Sequence, residues 1–360
     1  MKFECDENIY YPLGGASYVF KTEFIKYIYS KLKKKKIKIS IGAQPNSSPH
    51  LGTISVMCLA FKLAKKLTEE FKDISCSILF EVVDTAPSEQ IIINDIVYQR
   101  NLKNTGKLAI YMSQFIEILN FLRDKTQIEY EIRYQNEFNS QKEIQQIISE
   151  IIKQRDNIVQ YLDPKYKRLK IRVSCPKCGL TDKNSIKNKY DENKIIFECP
   201  KDGKFEVDIT KNPELLEYNT PLRNLIRGML YGNINENNEY DYEIIRVTGS
   251  DYAGFYQEEL LYKIVGMINY KVQKLPIVIY APLVVDWSGA KLSKSLYVKQ
   301  NAYKYLPSYL INYENLIKEK GKKGIEKMYN IVAEWIDEPY KLFRDYSVYY
   351  FMKRFEEYEK

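Results

Sequence analysis

The chain has 360 residues and one histidine, which stands in Gln44-Pro45-Asn46-Ser47-Ser48-Pro49-His50-Leu51-Gly52-Thr53. A solitary histidine is ordinarily a surface residue, or a core residue held by one hydrogen bond. This one follows a strand-like stretch and a Pro/Asn/Ser loop, and it opens a helical pattern. That is where unpaired backbone N–H groups and the helix dipole favour phosphate. Far downstream lies Lys291-Leu292-Ser293-Lys294-Ser295. By itself this is an ordinary basic loop; after His50-Leu51-Gly52 it reads as a second phosphate-handling element. Adenylation of a carboxylate by ATP needs a cradle for adenine and ribose, donors for the phosphates, and positive charge where pyrophosphate leaves. His50 can donate an imidazole N–H to a phosphate oxygen. Gly52 has no side chain, so adenine or ribose can approach the backbone. Lys291 and Lys294 can neutralise charge developing on the phosphates, with Gly289 as a hinge. Gly249-Ser250-Asp251 follows a strand pattern, which places its carboxylate to accept ribose hydroxyls.

These residues need a scaffold, and the apolar periodicity supplies one. Phe24, Ile25, Ile28, Tyr29 and Leu32 recur at helical spacing behind a capping Thr22. Ile37, Ile39 and Ile41 alternate as a strand does, and Gly42 ends it. A helical pattern spans 51–67 and a buried-strand pattern 77–83, giving a strand-loop-helix-strand unit that is right-handed by the usual rule. Helix, strand and helix follow near 109–123, 128–134 and 141–158. A further helix is expected near 214–230, then strand 244–247, helix 255–268, strand 276–280, and helices over the last sixty or so residues. The expected class is α/β: a Rossmann-type, doubly wound parallel sheet with an inserted zinc-ribbon-like module and a helical C-terminus. The expected divisions are 1–165, the insert 166–212, 213–300 and 301–360. In such a sheet the ligand lies beyond the carboxyl ends of the strands at the switch point. Gly42, Asn46 and Thr53 belong to the loop and helix start at that place. No Gly-x-x-x-x-Gly-Lys-Ser/Thr loop and no Gly-x-Gly-x-x-Gly fingerprint occurs.

Between 171 and 207 the character changes to cysteines, turn residues and short strands. Cys175-Pro176-Lys177-Cys178-Gly179 is answered by Cys199-Pro200-Lys201-Asp202-Gly203. Two such knuckles present four ligands to one tetrahedral zinc ion. Asp202 stands where a cysteine would be expected, so the alternatives are a Cys175, Cys178, Cys199 and Asp202 site or a metal-free, degenerate ribbon. Cys5, Cys58 and Cys76 have no ligand spacing.

The 55 basic and 47 acidic residues leave a formal net charge of +8, compatible with a phosphate-rich partner. The run Lys31–Lys36 is either a solvated helix end or an RNA-backbone contact. No apolar run reaches the roughly 20 residues of a membrane helix, and no secretory signal is visible at 1–7, so the cytoplasm is the expected location. Oligomeric state is not legible.

The order of these motifs resembles the class I type of lysyl-tRNA synthetase, whose signatures are His-Ile-Gly-His and Lys-Met-Ser-Lys-Ser. The similarity runs from about residue 37 to 298. It implies ATP and Mg²⁺ as cofactors, with His50, Gly52, Lys291, Ser293 and Lys294 contacting ATP and Asp251 lying in the ribose and amino-acid site. It also implies an amino-acid pocket drawn from Glu81, Asp84, Tyr252 and Tyr256. Asp84, at a strand end, would hold the amino group or else cap the loop. Two departures stand out. Asn219 and Thr220 occupy positions where the family carries Trp and Asp around the matching Pro221 and Arg223, which puts lysine as substrate in question. Only about 60 residues follow the Lys291–Ser295 loop, so any tRNA contact is expected at the acceptor arm. Three functions follow: activation of an amino acid and its transfer to tRNA for protein biosynthesis, transfer to a non-tRNA acceptor, or a non-catalytic RNA-binding role.

Overall fold

The computed structural model describes residues 24–268, 275–292, 303 and 306–357. Five strands form one parallel sheet: β1 (Lys36–Ala43), β2 (Ser75–Val82), β3 (Tyr130–Tyr134), β4 (Tyr242–Gly249) and β5 (Ile277–Ala281), in the order β5-β4-β1-β2-β3. The chain winds outward from β1 through β2 to β3, then returns to the other side of β1. This is the doubly wound arrangement, and its switch point lies between β1 and β4. The principal helices are α1 (Phe24–Lys31), α2 (Leu51–Glu70), α3 (Leu108–Thr126), α4 (Lys142–Lys153), α5 (Thr220–Glu236), α6 (Tyr313–Asp337) and α7 (Val348–Glu357).

The period-2 alternation of β1 explains the layering. Ile37, Ile39 and Ile41 are buried in a core shared with α2, α3 and α6, to which Phe61, Phe115 and Trp335 contribute. The opposite face is polar near its carboxyl end. Ser40 lies there opposite Arg246, and Glu81, opposite Gly42, pairs in register with Arg133; this group meets Arg227 and Tyr231 of α5. Farther out, α4 and α5 build a second core that includes Ile195, Phe197 and Val207 of the cysteine-bearing segment.

Several local expectations are corrected. A hairpin, Pro87–Ile93 with Ile96–Asn101, follows β2 and pairs with Thr181–Asp182. The expected 141–158 helix is two helices, α4 and Arg155–Leu162. The expected 214–230 helix starts later, because Glu217–Tyr218 pairs with Ile171–Arg172 and Asn219 then caps α5 by accepting from Leu222 N–H at 3.3 Å. The 255–268 helix is π-helical over Phe255–Ile264. Helix α6 breaks at Gly321 (φ 58°), and Tyr346–Ser347 pairs as a strand with Val284–Val285. Among the described residues no helix is long and apolar enough to cross a membrane.

Candidate active site

A cavity of about 820 Å³ opens beyond the carboxyl ends of β1 and β4. Its walls are the loop from Gly42 to Thr53, the end of β4 with Asp251 and Tyr252, the first turns of α5, and the 282–292 turn. His50 is the N-cap of α2: its Nδ1 accepts from Thr53 N–H at 3.3 Å, the task usually given to Ser, Thr, Asp or Asn. With Nδ1 accepting, the neutral ring carries its proton on Nε2, which lies 3.1 Å from Thr53 Oγ1. A Cβ on Gly52 would stand 3.2 Å from both Cε1 and Nδ1 of His50. Glycine here seats the imidazole, a reason the sequence alone did not disclose. Asn46 lines the cavity, and its N–H closes a turn on Gln44 O at 2.8 Å. The loop is fastened to the start of α6: Pro49 O accepts from Tyr313 N–H at 2.7 Å and Ser48 Oγ from Glu314 N–H at 3.1 Å.

Across the cavity, Lys291 and Asp251 form an ion pair. The turn that presents Lys291 is built by Asp286, whose Oδ1 accepts from the N–H groups of Ser288 (2.9 Å) and Ala290 (3.2 Å), with Gly289 at φ +79°. Gly249 admits the Asp251 carboxylate, because a Cβ there would lie 2.5 Å from Oδ1. Ser293 and Lys294 lie outside the described residues.

The floor carries charges that the motifs did not announce. Arg223 and Arg227, one turn apart on α5, and Arg246 of β4 all line the cavity and are at most 5% exposed. Gly42 gives Arg246 and Arg227 room, since a Cβ there would meet Arg246 Nη2 at 3.2 Å and Arg227 Nη1 at 3.3 Å. Glu81, 1% exposed, pairs with Arg133 and lies 2.5 Å from Arg227 Nε. Burial pushes the Glu81 carboxyl up, but Arg227, Arg133 and Arg246 outweigh it and hold it down at about 2. Burial, followed by repulsion from Arg227 and Arg172, lowers Arg223 to about 9. Arg246 donates to Ser40 Oγ at 2.9 Å and Arg223 to Tyr218 O at 2.9 Å.

The pocket candidates separate. Tyr252 lines the cavity; Asp84, Glu81 and Tyr256 do not. Asp84 is 5% exposed, and burial raises its carboxyl. Tyr256 is fully buried behind the floor, with no partner for its hydroxyl. Thr220 and Asn224 of α5 reach the cavity, and the sequence reading named only the first.

The second cluster lies apart from this cavity. The ligand atoms of Cys175, Cys178, Cys199 and Asp202 all fall within 4.8 Å of one another. Cys178 Sγ is 3.4 Å from Cys199 Sγ, and Asp202 Oδ2 is 3.2 Å from Cys175 Sγ. A tetrahedral Zn²⁺ with Zn–S of about 2.3 Å needs sulfur atoms about 3.8 Å apart. Both knuckles turn on left-handed glycines, Gly179 (φ +73°) and Gly203 (φ +81°). The donor set and its spacing fit the ion.

The basic run is largely engaged within the fold. Lys34 Nζ donates to Ile234 O (2.7 Å) and Asn237 O (2.8 Å) at the carboxyl end of α5, as the helix dipole favours. Lys35 pairs with Asp73, Lys36 with Asp241, and Lys170 with Asp163.

No family model matches the sequence, and no curated protein matches it. Among solved structures, the chain is similar to a protein described as an arginyl-tRNA synthetase from Campylobacter jejuni, with 10% identity and a TM-score of 0.34 over 87% of this chain and 68% of that one. It is also similar to tyrosyl-tRNA synthetase from Archaeoglobus fulgidus, crystallised with L-tyrosine, with 10% identity and a TM-score of 0.39 over 88% of this chain and 91% of that one.

Proposed function

We propose that the protein activates an amino acid with Mg²⁺-bound ATP as an aminoacyl-adenylate and passes it to the acceptor end of a tRNA. One observation carries this. The switch-point cavity has the His50-capped start of α2 on one wall and the Lys291–Asp251 pair on another. An α-carboxylate oxygen attacks the α-phosphorus, the bond from that phosphorus to the bridging oxygen breaks, and pyrophosphate leaves. The negative charge falls on phosphate oxygens. His50 Nε2–H, exchanging Thr53 Oγ1 for one of them, stabilises that charge together with Lys291 and Lys294. As the phosphates draw Lys291 away, Asp251 is released to accept ribose hydroxyls. In the second step a tRNA ribose hydroxyl attacks the carbonyl carbon and AMP departs. Gly42, Asn46, Gly52, Thr53, Gly249 and Ser293 shape the ATP site, and Tyr252 stands at the amino-acid end. Cys175, Cys178, Cys199 and Asp202 would hold a structural Zn²⁺.

The resemblance points to lysine, but the cavity offers an ammonium group little. Its one acidic lining residue among those described is Asp251, already paired with Lys291. A non-tRNA acceptor draws support from the pairing of Lys35, Lys36 and Lys170 with carboxylates, which leaves less free cationic surface for RNA. The reaction is tested by ATP–pyrophosphate exchange with His50→Ala. Loss of one charge-stabilising donor costs about 2–4 kcal/mol of transition-state stabilisation, and full activity in the variant would remove His50 from the mechanism.

A further inference from the structure

We infer that the amino acid taken by this cavity carries a carboxylate on its side chain, bound by Arg223 and Arg246. The adenylation reading supplies the reaction in which such a ligand would be used; the ligand's charge follows from the cavity itself. Four cationic residues line the described cavity: Arg223, Arg227, Arg246 and Lys291. Lys291 is matched by Asp251, and Arg227 by Glu81, which Arg133 also shares. Arg223 and Arg246 have no carboxylate within ion-pairing distance among the described residues. Each makes a neutral hydrogen bond instead, to Tyr218 O and Ser40 Oγ. A guanidinium offers five donors in a rigid fork suited to a carboxylate. Buried charge is strongly disfavoured unless it is matched, and Glu81 is one carboxylate shared among Arg133, Arg227 and Arg246 while Arg223 is repelled by Arg227 and Arg172, so the floor keeps an excess of positive charge that calls for an anionic ligand group.

Phosphate is the weaker candidate for that group. The phosphate-handling residues sit at the more open part of the cavity, with the Lys291 side chain 46% exposed and His50 half-buried. Arg223 and Arg246 are each 5% exposed, and Arg246 lies beneath Gly42. The ligand's α-carboxylate is not the group either, because it must turn an oxygen toward the α-phosphorus and remain nucleophilic. A second carboxylate, one side chain away, satisfies both ends. Lysine in the same orientation would set an ammonium against a floor on which guanidinium groups outnumber carboxylates.

The test combines calorimetric binding of glutamate, aspartate, glutamine, asparagine and lysine to the full chain with pyrophosphate exchange over the twenty amino acids in the presence of tRNA. Glutamate or aspartate should bind and support exchange. The corresponding amide should be at least about 100-fold poorer, since a site built for a polar group rejects ligands lacking it. Arg246→Gln and Arg223→Gln, each checked for an intact melting transition, should lose most of that discrimination; unchanged discrimination in a folded variant would overturn the inference. Exchange with lysine or a neutral amino acid alone overturns the acidic ligand and leaves adenylation standing. Acidic ligands that bind without exchange support the ligand class and remove the adenylation reading. No binding of the acidic ligands together with no exchange for any of the twenty amino acids overturns both.

Discussion

Replacing Gly52 by alanine separates the role of the first turn of α2 in stability from its role in chemistry. The new methyl would lie 3.2 Å from Cε1 and Nδ1 of His50, a few tenths of an ångström inside comfortable contact, so the ring must move. Moving it breaks the Nδ1 cap on Thr53 N–H, a loss of about 0.5–2 kcal/mol. Alanine in place of glycine in a helix returns up to about 1 kcal/mol. The two nearly cancel, so the melting temperature should shift by no more than about 4 °C. Catalysis has no such compensation. If His50 serves the phosphates, its displacement removes one donor, about 2–4 kcal/mol, or roughly 10²–10³ in kcat/KM for pyrophosphate exchange. Thermal melting and exchange kinetics on the same preparation decide the matter. A Gly52→Ala protein that melts normally and exchanges at full rate would refute the account of both residues.

Acid sensitivity should locate Glu81. Its carboxyl, held at about 2 against an ordinary 4.5, contributes stability that is complete above pH 4.5 and lost as pH falls toward 2; the full effect is about 3 kcal/mol. Glu81→Gln should flatten that part of a pH–stability curve and destabilise the protein at pH 7 by leaving Arg133 and Arg227 without their partner; an unchanged curve would contradict the pairing. Purified protein should contain about one zinc per chain by elemental analysis, and Cys178→Ser should lose it. Because Ile195, Phe197 and Val207 belong to the second core, metal loss should lower the melting temperature without unfolding the whole chain, and zinc-free protein prepared without chelator would exclude the site. If tRNA is the acceptor, a minihelix lacking the anticodon should be charged nearly as well as whole tRNA, and a large loss on anticodon substitution would count against acceptor-arm recognition.

The frame of the sheet was legible because β1 alternates with period 2, α2 follows a helical pattern and β2 is a short continuous buried run, with His50 at the first junction. The hairpin after β2 was missed although its signal is present. Asn94 and Asp95 form a two-residue turn with φ of 48° and 61° between runs of isoleucine and valine, a composition that favours a tight hairpin. The arginine floor was missed for a different reason. Arg133 and Arg246 interrupt their strands, and Arg223 and Arg227 recur one helical turn apart, but the pairing of Arg133 and Arg227 with Glu81 and the gathering of all four on one floor depend on contacts between distant segments that no local pattern encodes. Asn219 was read only as a departure from a family pattern, whereas its side chain starts α5 and thereby aims Arg223 into the cavity. Gly52 was legible as a required glycine, but not for the ring it accommodates.

The central claim is that this cavity joins ATP to a carboxylate. The measurement that tests it most directly is incorporation of labelled pyrophosphate into ATP by the purified full chain with Mg²⁺ and a mixture of the twenty amino acids, with and without tRNA. Incorporation should depend on amino acid and fall by roughly 10²–10³ in His50→Ala. Protein that binds ATP yet incorporates no label above the protein-free control, under either condition, would contradict it.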